Sequence, residues 1–160
     1  MKRPLWRCPR CGHAFVTRHL SHSCHRYTLR HHFADKPPFV RALFDEYVAA
    51  VRAFGRFTVE PQKTRIAFLV RVRFAAGHPL QSGFRGHLWL TQACPGPPVD
   101  RIEKLTPTCF LHHFLLSRSQ DVNESFRARI GLAYRVGCQD AATSPVERRR
   151  AGRGAQRSRA

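Results

Sequence analysis

Three thiols and an imidazole near the N-terminus are the residues of this chain whose spacing alone implies a definite chemistry. Cys8-Pro9-Arg10-Cys11-Gly12 sets two cysteines across a tight turn, and His22-Ser23-Cys24 follows, with ten residues between Cys11 and His22. Thiolate sulfur and neutral imidazole are zinc ligands, and four of them supplied locally make a closed structural site, since a catalytic zinc keeps a position open. Proline fixes the turn, and glycine accepts the positive φ that lets backbone amides point at the sulfurs. His22 and Cys24, two apart, face the same way on extended chain. His13, His19 and His25 lie nearby as alternative ligands, His19 with Cys24 giving the spacing of a zinc-knuckle end. The gap is shorter than the ~12 residues of a two-cysteine, two-histidine finger. A module of ~30 residues needs metal or docking to fold, with Trp6, Phe15 and Tyr27 packed around the site.

Other candidates bear charge or rings. Lys63-Thr64-Arg65 precedes a strand, where a basic loop can grip a phosphate or carboxylate, or where the threonine simply bonds the backbone of a solvated turn. Arg65, Arg71 and Arg73 alternate with apolar residues and read as a stripe on one strand face, able to track a nucleic-acid backbone or to keep an outer face solvated. His112 and His113 fall on opposite faces of their strand, so they cannot chelate one metal together. One is expected to pack with a satisfied ring nitrogen while the other approaches Lys63 or Arg65 and a ligand. His87 and Trp89 share a face that offers a stacking surface or core packing. Cys94, Cys109 and Cys138 are scattered singly and read as unpaired thiols.

The elements that must position these residues follow from two periods. Residues 1–30 form the metal module, and residues 30–38 the joint. From Pro37-Pro38 the apolar residues Phe39, Val40, Leu43, Phe44, Tyr47, Val48, Val51 and Phe54 recur at helical spacing, with Gly55 as the stop. The period then becomes two. Phe57 to Glu60 is a short strand, Arg65 to Ala75 a single long half-buried strand, and Gly77 to Gly86 a loop. Gly86 to Thr91 is a third strand; Pro95-Gly96-Pro97-Pro98 breaks the chain; Phe110 to Leu116 is a fourth. A last helix spans about Ser119 to Val136, with Val122, Phe126, Ile130, Ala133 and Tyr134 inward and Gly137 ending it. This predicts an α+β domain over residues 37–138, a small antiparallel sheet of about four strands flanked by two helices. Residues 141–160, rich in Ala, Arg, Gly and Ser, are expected to be a disordered basic tail.

Charge points to a polyanionic partner without naming it. The chain of 160 residues carries 28 Lys and Arg against 10 Asp and Glu, a formal +18. Residues 1–36 hold eight basic and one acidic residue, 141–160 six and one, and 37–140 fourteen and eight, so two thirds of the excess is terminal. An odd set of cysteines outside the cluster, with no apolar run behind the N-terminal Lys2 and Arg3, fits a cytoplasmic protein without a signal peptide. No stretch reaches the length of a membrane span.

Several motifs jointly resemble a family. Cys8-Pro-Arg-Cys-Gly with His22-Ser-Cys24, Lys36-Pro-Pro38, Pro61-Gln-Lys-Thr-Arg-Ile-Ala-Phe68, His112-His-Phe114 and Ala133-Tyr-Arg-Val-Gly137 occur in order. In these, residues 6–138 resemble bacterial proteins carrying domain of unknown function 5655 behind a zinc-finger-like segment. The resemblance implies Cys8, Cys11, His22 and Cys24 as the metal set and a compact α+β domain; it implies no activity.

Three function classes follow. The first is a zinc-stabilised, non-enzymatic binding protein engaging DNA or RNA through a basic surface that includes Arg65, Arg71 and Arg73. The second is a small anionic-ligand pocket built from Lys63, Thr64, Arg65, His112 and His113. The third, a phosphodiester hydrolase, lacks paired carboxylates, an activated nucleophile and a phosphate-cradling glycine loop.

Overall fold

Residues 2–140 are described by a computed structural model; the expected tail lies outside the described residues. A two-stranded hairpin, β1 (Trp6–Arg7) and β2 (Ala14–Phe15), opens the chain, followed by a short helix α1 (Leu29–Phe33). Helix α2 (Pro38–Arg52) leads into six strands: β3 (Thr58–Pro61), β4 (Ile66–Leu69), β5 (Arg73–Leu80), β6 (Gly83–Leu90), β7 (Val99–Thr106) and β8 (Cys109–Leu116). A 3-10 turn at Ser119–Asp121 precedes helix α3 (Glu124–Cys138). The large sheet is antiparallel throughout, in the order β3-β4-β5-β6-β8-β7. The α+β class stands, but the sheet has six strands where about four are expected, and a two-stranded sheet lies in the metal module. No described helix is long and apolar enough to cross a membrane.

Each departure has a physical cause. The run from Arg65 to Ala75 is two strands, because the chain reverses at Val70–Val72. No glycine or proline marks that turn. It is closed by Val70 N–H bonding Val72 O at 3.2 Å, and the amides of Arg71 and Val72 both donate to Gly137 O on α3. The turn is therefore made by tertiary contact. Gly77 and Gly86 belong to strands, not to a loop: a Cβ at Gly77 would sit 2.6 Å from the Phe84 ring, and one at Gly86 2.4 Å from the Phe114 ring. These glycines make room for aromatic rings on the core face. Strand β7 escapes sequence reading because its edge position leaves most of Val-Asp-Arg-Ile-Glu-Lys-Leu-Thr exposed, without alternation.

Helices α2 and α3 cover one sheet face. Val40, Leu43, Phe44, Tyr47, Ala50 and Val51 of α2 are buried, with Phe126, Ile130 and Ala133 of α3. They meet Phe68, Phe84, Leu88, Phe114 and Leu116 of the sheet. Phe39, placed on the inward face by its spacing, is 47% exposed. Asn123 caps α3 by accepting from Phe126 N–H at 2.8 Å. Gly137 lies inside α3 against the Phe74 ring instead of ending it; Gln139 in the left-handed region is the cap.

Candidate functional site

The β1–β2 hairpin builds the first half of the metal cluster. Cys8 N–H bonds His13 O at 2.9 Å, Gly12 N–H bonds Cys8 O at 2.8 Å, and Gly12 takes a φ of +72°, so the two thiols project from one turn. The second half has no regular structure; Cys24 and His25 both adopt positive φ, bending the chain back toward the hairpin. The donor atoms of Cys8, Cys11, His22 and Cys24 lie within 4.8 Å of one another.

These distances fit a tetrahedral ion. Zinc–sulfur bonds of ~2.3 Å place two thiolates ~3.8 Å apart, and Cys8 Sγ to Cys24 Sγ is 3.8 Å, far too long for a disulfide. His22 Nε2 is 3.1 Å from Cys11 Sγ and 3.0 Å from Cys24 Sγ, somewhat inside the sulfur–nitrogen edge. His22 Nδ1 lies 2.6 Å from Leu20 O; donating its proton there fixes the tautomer and leaves Nε2 as a ligand lone pair. The electrostatics of the thiols make the same demand for a cation. Burial raises the Cys8 thiol, but hydrogen bonds from the backbone of Arg10 and Cys11 and from Cys11 and Cys24 outweigh it and bring Cys8 down to about 6. Burial and the neighbouring thiols push Cys24 up to about 11. One thiolate forms readily and a further one is resisted by like charge, a conflict that a dication removes. The neighbouring histidines take other work: His19 packs against Trp6, and His25 Nε2 is 3.2 Å from Cys11 O.

The module is seated on the sheet face opposite the helices. Cys8 and Phe15 pack with Ala67 and Leu69 of β4, flanked by Trp6, Cys11 and Cys24. Tyr27, expected beside the metal, instead faces His31 on α1. Ser23, between two ligands, donates its N–H to Glu60 Oε1 at 3.3 Å, and its hydroxyl lies 3.2 Å from that oxygen. Glu60 is 2% exposed, so β3 holds the ligand loop through a buried carboxylate that sequence reading did not single out.

Beyond the module no described element covers the same sheet face. Register carries one row from Glu60 and Ala67, under the module, through Ala76 to His87, His113 and Arg101. Arg85 and Trp89 flank His87 on β6, half-buried, and Arg73 stands opposite Leu69 on β5. Arg85 bonds Asp100 at 2.5 Å; Arg101 lies 3.3 Å from Glu103 and 3.0 Å from His113 Nε2. Arg85, Asp100, Arg101 and His113 line a hollow of about 400 Å³. Burial, then the charges of His113, Arg65, Arg73 and His78, pull His87 down to about 4. Its ring meets Trp89 edge-on at 4.6 Å.

The expected site residues divide. Arg65 and Arg73 share the outer face, and the Arg65 charge adds to burial in lowering Arg73. Arg71 does not join the stripe: it lies in the β4–β5 turn, donating to Gln139 Oε1 and Arg3 O. Lys63 and Thr64 are exposed in the β3–β4 turn, where Gln62 N–H bonds Arg65 O at 2.7 Å. His112 is fully buried on the core face, its Nε2 accepting from Cys94 N–H at 2.9 Å. His113 is on the outer face beside Arg101 and Glu103, away from the Lys63 turn it was expected to approach. Lys63, Arg65, His112 and His113 therefore do not converge on one concave surface. Arg129 is a residue the sequence did not flag. Buried on α3, it donates to Pro95 O at 2.7 Å and Pro97 O at 3.0 Å, and with His112 it ties the proline segment down.

No protein-family model, curated protein or solved structure matches the chain.

Proposed function

We propose that this is a zinc-stabilised, non-enzymatic nucleic-acid-binding protein whose ligand lies on the outer face of strands β5, β6, β8 and β7. The observation that carries this reading is the grouping of three arginines about Trp89 and His87 on the outer sheet face. Arg73 on β5, Arg85 on β6 and Arg101 on β7 stand around the half-buried Trp89 and His87 on a sheet face that no described helix covers. Burial, with added charge from Arg65 and Arg73 among its neighbours, pulls His87 down to about 4. Arginine forks suit phosphate oxygens, and a tryptophan in the same patch suits a base. The ion pairs Arg85–Asp100 and Arg101–Glu103 are partly exposed, so exchanging a carboxylate for a phosphate costs little. Both carboxylates are held by arginines, which leaves neither poised as a general base. Three thiolates and an imidazole favour zinc over harder cations at the module. There the metal would be held by Cys8, Cys11, His22 and Cys24 and would supply structure.

The small-ligand reading is the less favoured, because His112 lies on the far face of the sheet and His113 beside Arg101 instead of the Lys63 turn. The test is binding of the zinc-loaded full chain to an oligonucleotide, compared with a variant carrying R73Q, R85Q and R101Q. We expect the variant to bind at least tenfold more weakly at physiological salt, the order given by about three lost phosphate contacts. Undiminished affinity would show that the outer face is not the binding surface.

A further inference from the structure

We infer that the ligand of this face is single-stranded, an unpaired base stacking against Trp89 with the edge-on His87 ring beside it, while its phosphates lie on Arg73, Arg85 and Arg101. This deepens the nucleic-acid reading above and rests on it. The outer face is not uniformly charged. Its centre on β6 and β8 holds Trp89, His87, Leu111 and Leu115, all half-buried, and arginines stand to either side on β5 and β7, with Arg85 further along β6. A duplex turns its phosphates outward and keeps its bases inside the stack, so it would meet the arginines and leave the central rings without a partner. A groove-reading protein inserts a helix or a two-stranded ribbon, whereas this face lies within a six-stranded sheet whose β3 end is covered by the metal module. An unpaired base supplies what the centre needs, an apolar π face, and its backbone supplies the anions the rim needs.

Size agrees. Strands β5, β6, β8 and β7 span about 14 Å at ~4.8 Å spacing, room for about two or three nucleotides on a four-stranded face. His87 is held neutral there, with its pKa near 4. It therefore adds a ring without adding a charge that would favour any polyanion equally.

The probes are fluorescent oligouridylate and oligothymidylate, RNA and DNA duplexes of the same length, and polyglutamate, each titrated against the zinc-loaded full chain. At one salt concentration, we expect either single strand to bind at least tenfold tighter than its duplex and than polyglutamate. Trp89→Ala should weaken single-strand binding about tenfold and duplex binding less than about twofold, while Trp89→Phe keeps most of the affinity. In a Trp6→Phe background shown to keep its zinc, the remaining tryptophan should be quenched by the single strand; the strand-to-duplex ratio needs no substitution at all. Duplex binding as tight as single-strand binding, equal losses on both with Trp89→Ala, or equal binding of polyglutamate would overturn the inference. Binding of duplex alone would overturn it while leaving the nucleic-acid reading intact; binding of neither polymer would remove both.

Discussion

His112 and His113 are one residue apart on β8, yet they belong to opposite faces of one sheet and do opposite work. The inner face is closed by α2 and α3 around Tyr47, Phe84, Phe114 and Phe126, and His112 is kept there as a neutral acceptor for one backbone amide. The outer face is covered at its β3–β4 end by the metal module and is otherwise lined by arginine, histidine and tryptophan. The inner face uses its polar groups to fix the fold; the outer one leaves them where a ligand can meet them. A residue type alone therefore predicts little here, and the face it occupies predicts most of its role.

The sharpest way to break this contrast is at the covered end of the outer face. Changing Cys8 and Cys11 to Ser should abolish binding of about one zinc per chain and unfold residues 2–28, since structural zinc sites supply ~10 kcal/mol or more of folding free energy. Hydrogen exchange should show protection lost there and on β4, around Ala67 and Leu69, while β6 and β8 stay protected. Uniform loss across the sheet would mean that the module is part of one core.

A second test compares the two histidines. His112→Ala removes the acceptor of Cys94 N–H and opens a cavity, and should cost about 2–3 kcal/mol in denaturant unfolding. His113→Ala, at a half-buried ring on the outer face, should cost less than ~1 kcal/mol. Equal costs would erase the distinction between the faces.

His87 gives a third, by pH. Its folded pKa of about 4 lies below the ordinary 6.5, so the folded state binds fewer protons than the unfolded one. Its contribution to stability is complete above about 6.5 and is lost as pH falls toward 4. His87→Gln should flatten the acid side of the stability profile in that window. A bound polyanion should raise the His87 pKa, followed by NMR; an unmoved pKa would place the ligand elsewhere.

The smallest effect is expected deep in the inner face. Tyr47 is fully buried and its hydroxyl has no hydrogen-bond partner among the described residues. Tyr47→Phe should leave stability unchanged or raise it by up to ~1 kcal/mol, because an unsatisfied buried hydroxyl costs desolvation. A loss above that would reveal a partner for the hydroxyl.

What could be read in advance divides by sequence distance. The cysteine pair, the helical spacing of α2 and the alternation of β6 and β8 are local patterns, and they survive in the structure. The Val70–Val72 reversal depends on Gly137, more than sixty residues away, so no local signal announces it. Gly77 and Gly86 look like loop residues until the rings of Phe84 and Phe114 are seen above them. The same holds for the site. The ligand set is close in sequence, whereas the row from Glu60 to Arg101 exists only through strand register, and Arg71 leaves the expected stripe because of the hairpin. Arg129 and Glu60 were hidden because burial, not residue type, gives them their roles.

Whether the outer face binds nucleic acid is decided by the salt dependence of oligonucleotide binding, measured on the zinc-loaded full chain and on its R73Q, R85Q and R101Q variant. Residues 141–160 are identical in both, so their charge cancels in the comparison. Each phosphate contact to a single strand contributes ~0.7 to the slope of log affinity against log salt. The outer face predicts a slope shallower by about 2 in the variant, with zinc content unchanged. Equal slopes for the two proteins would contradict it.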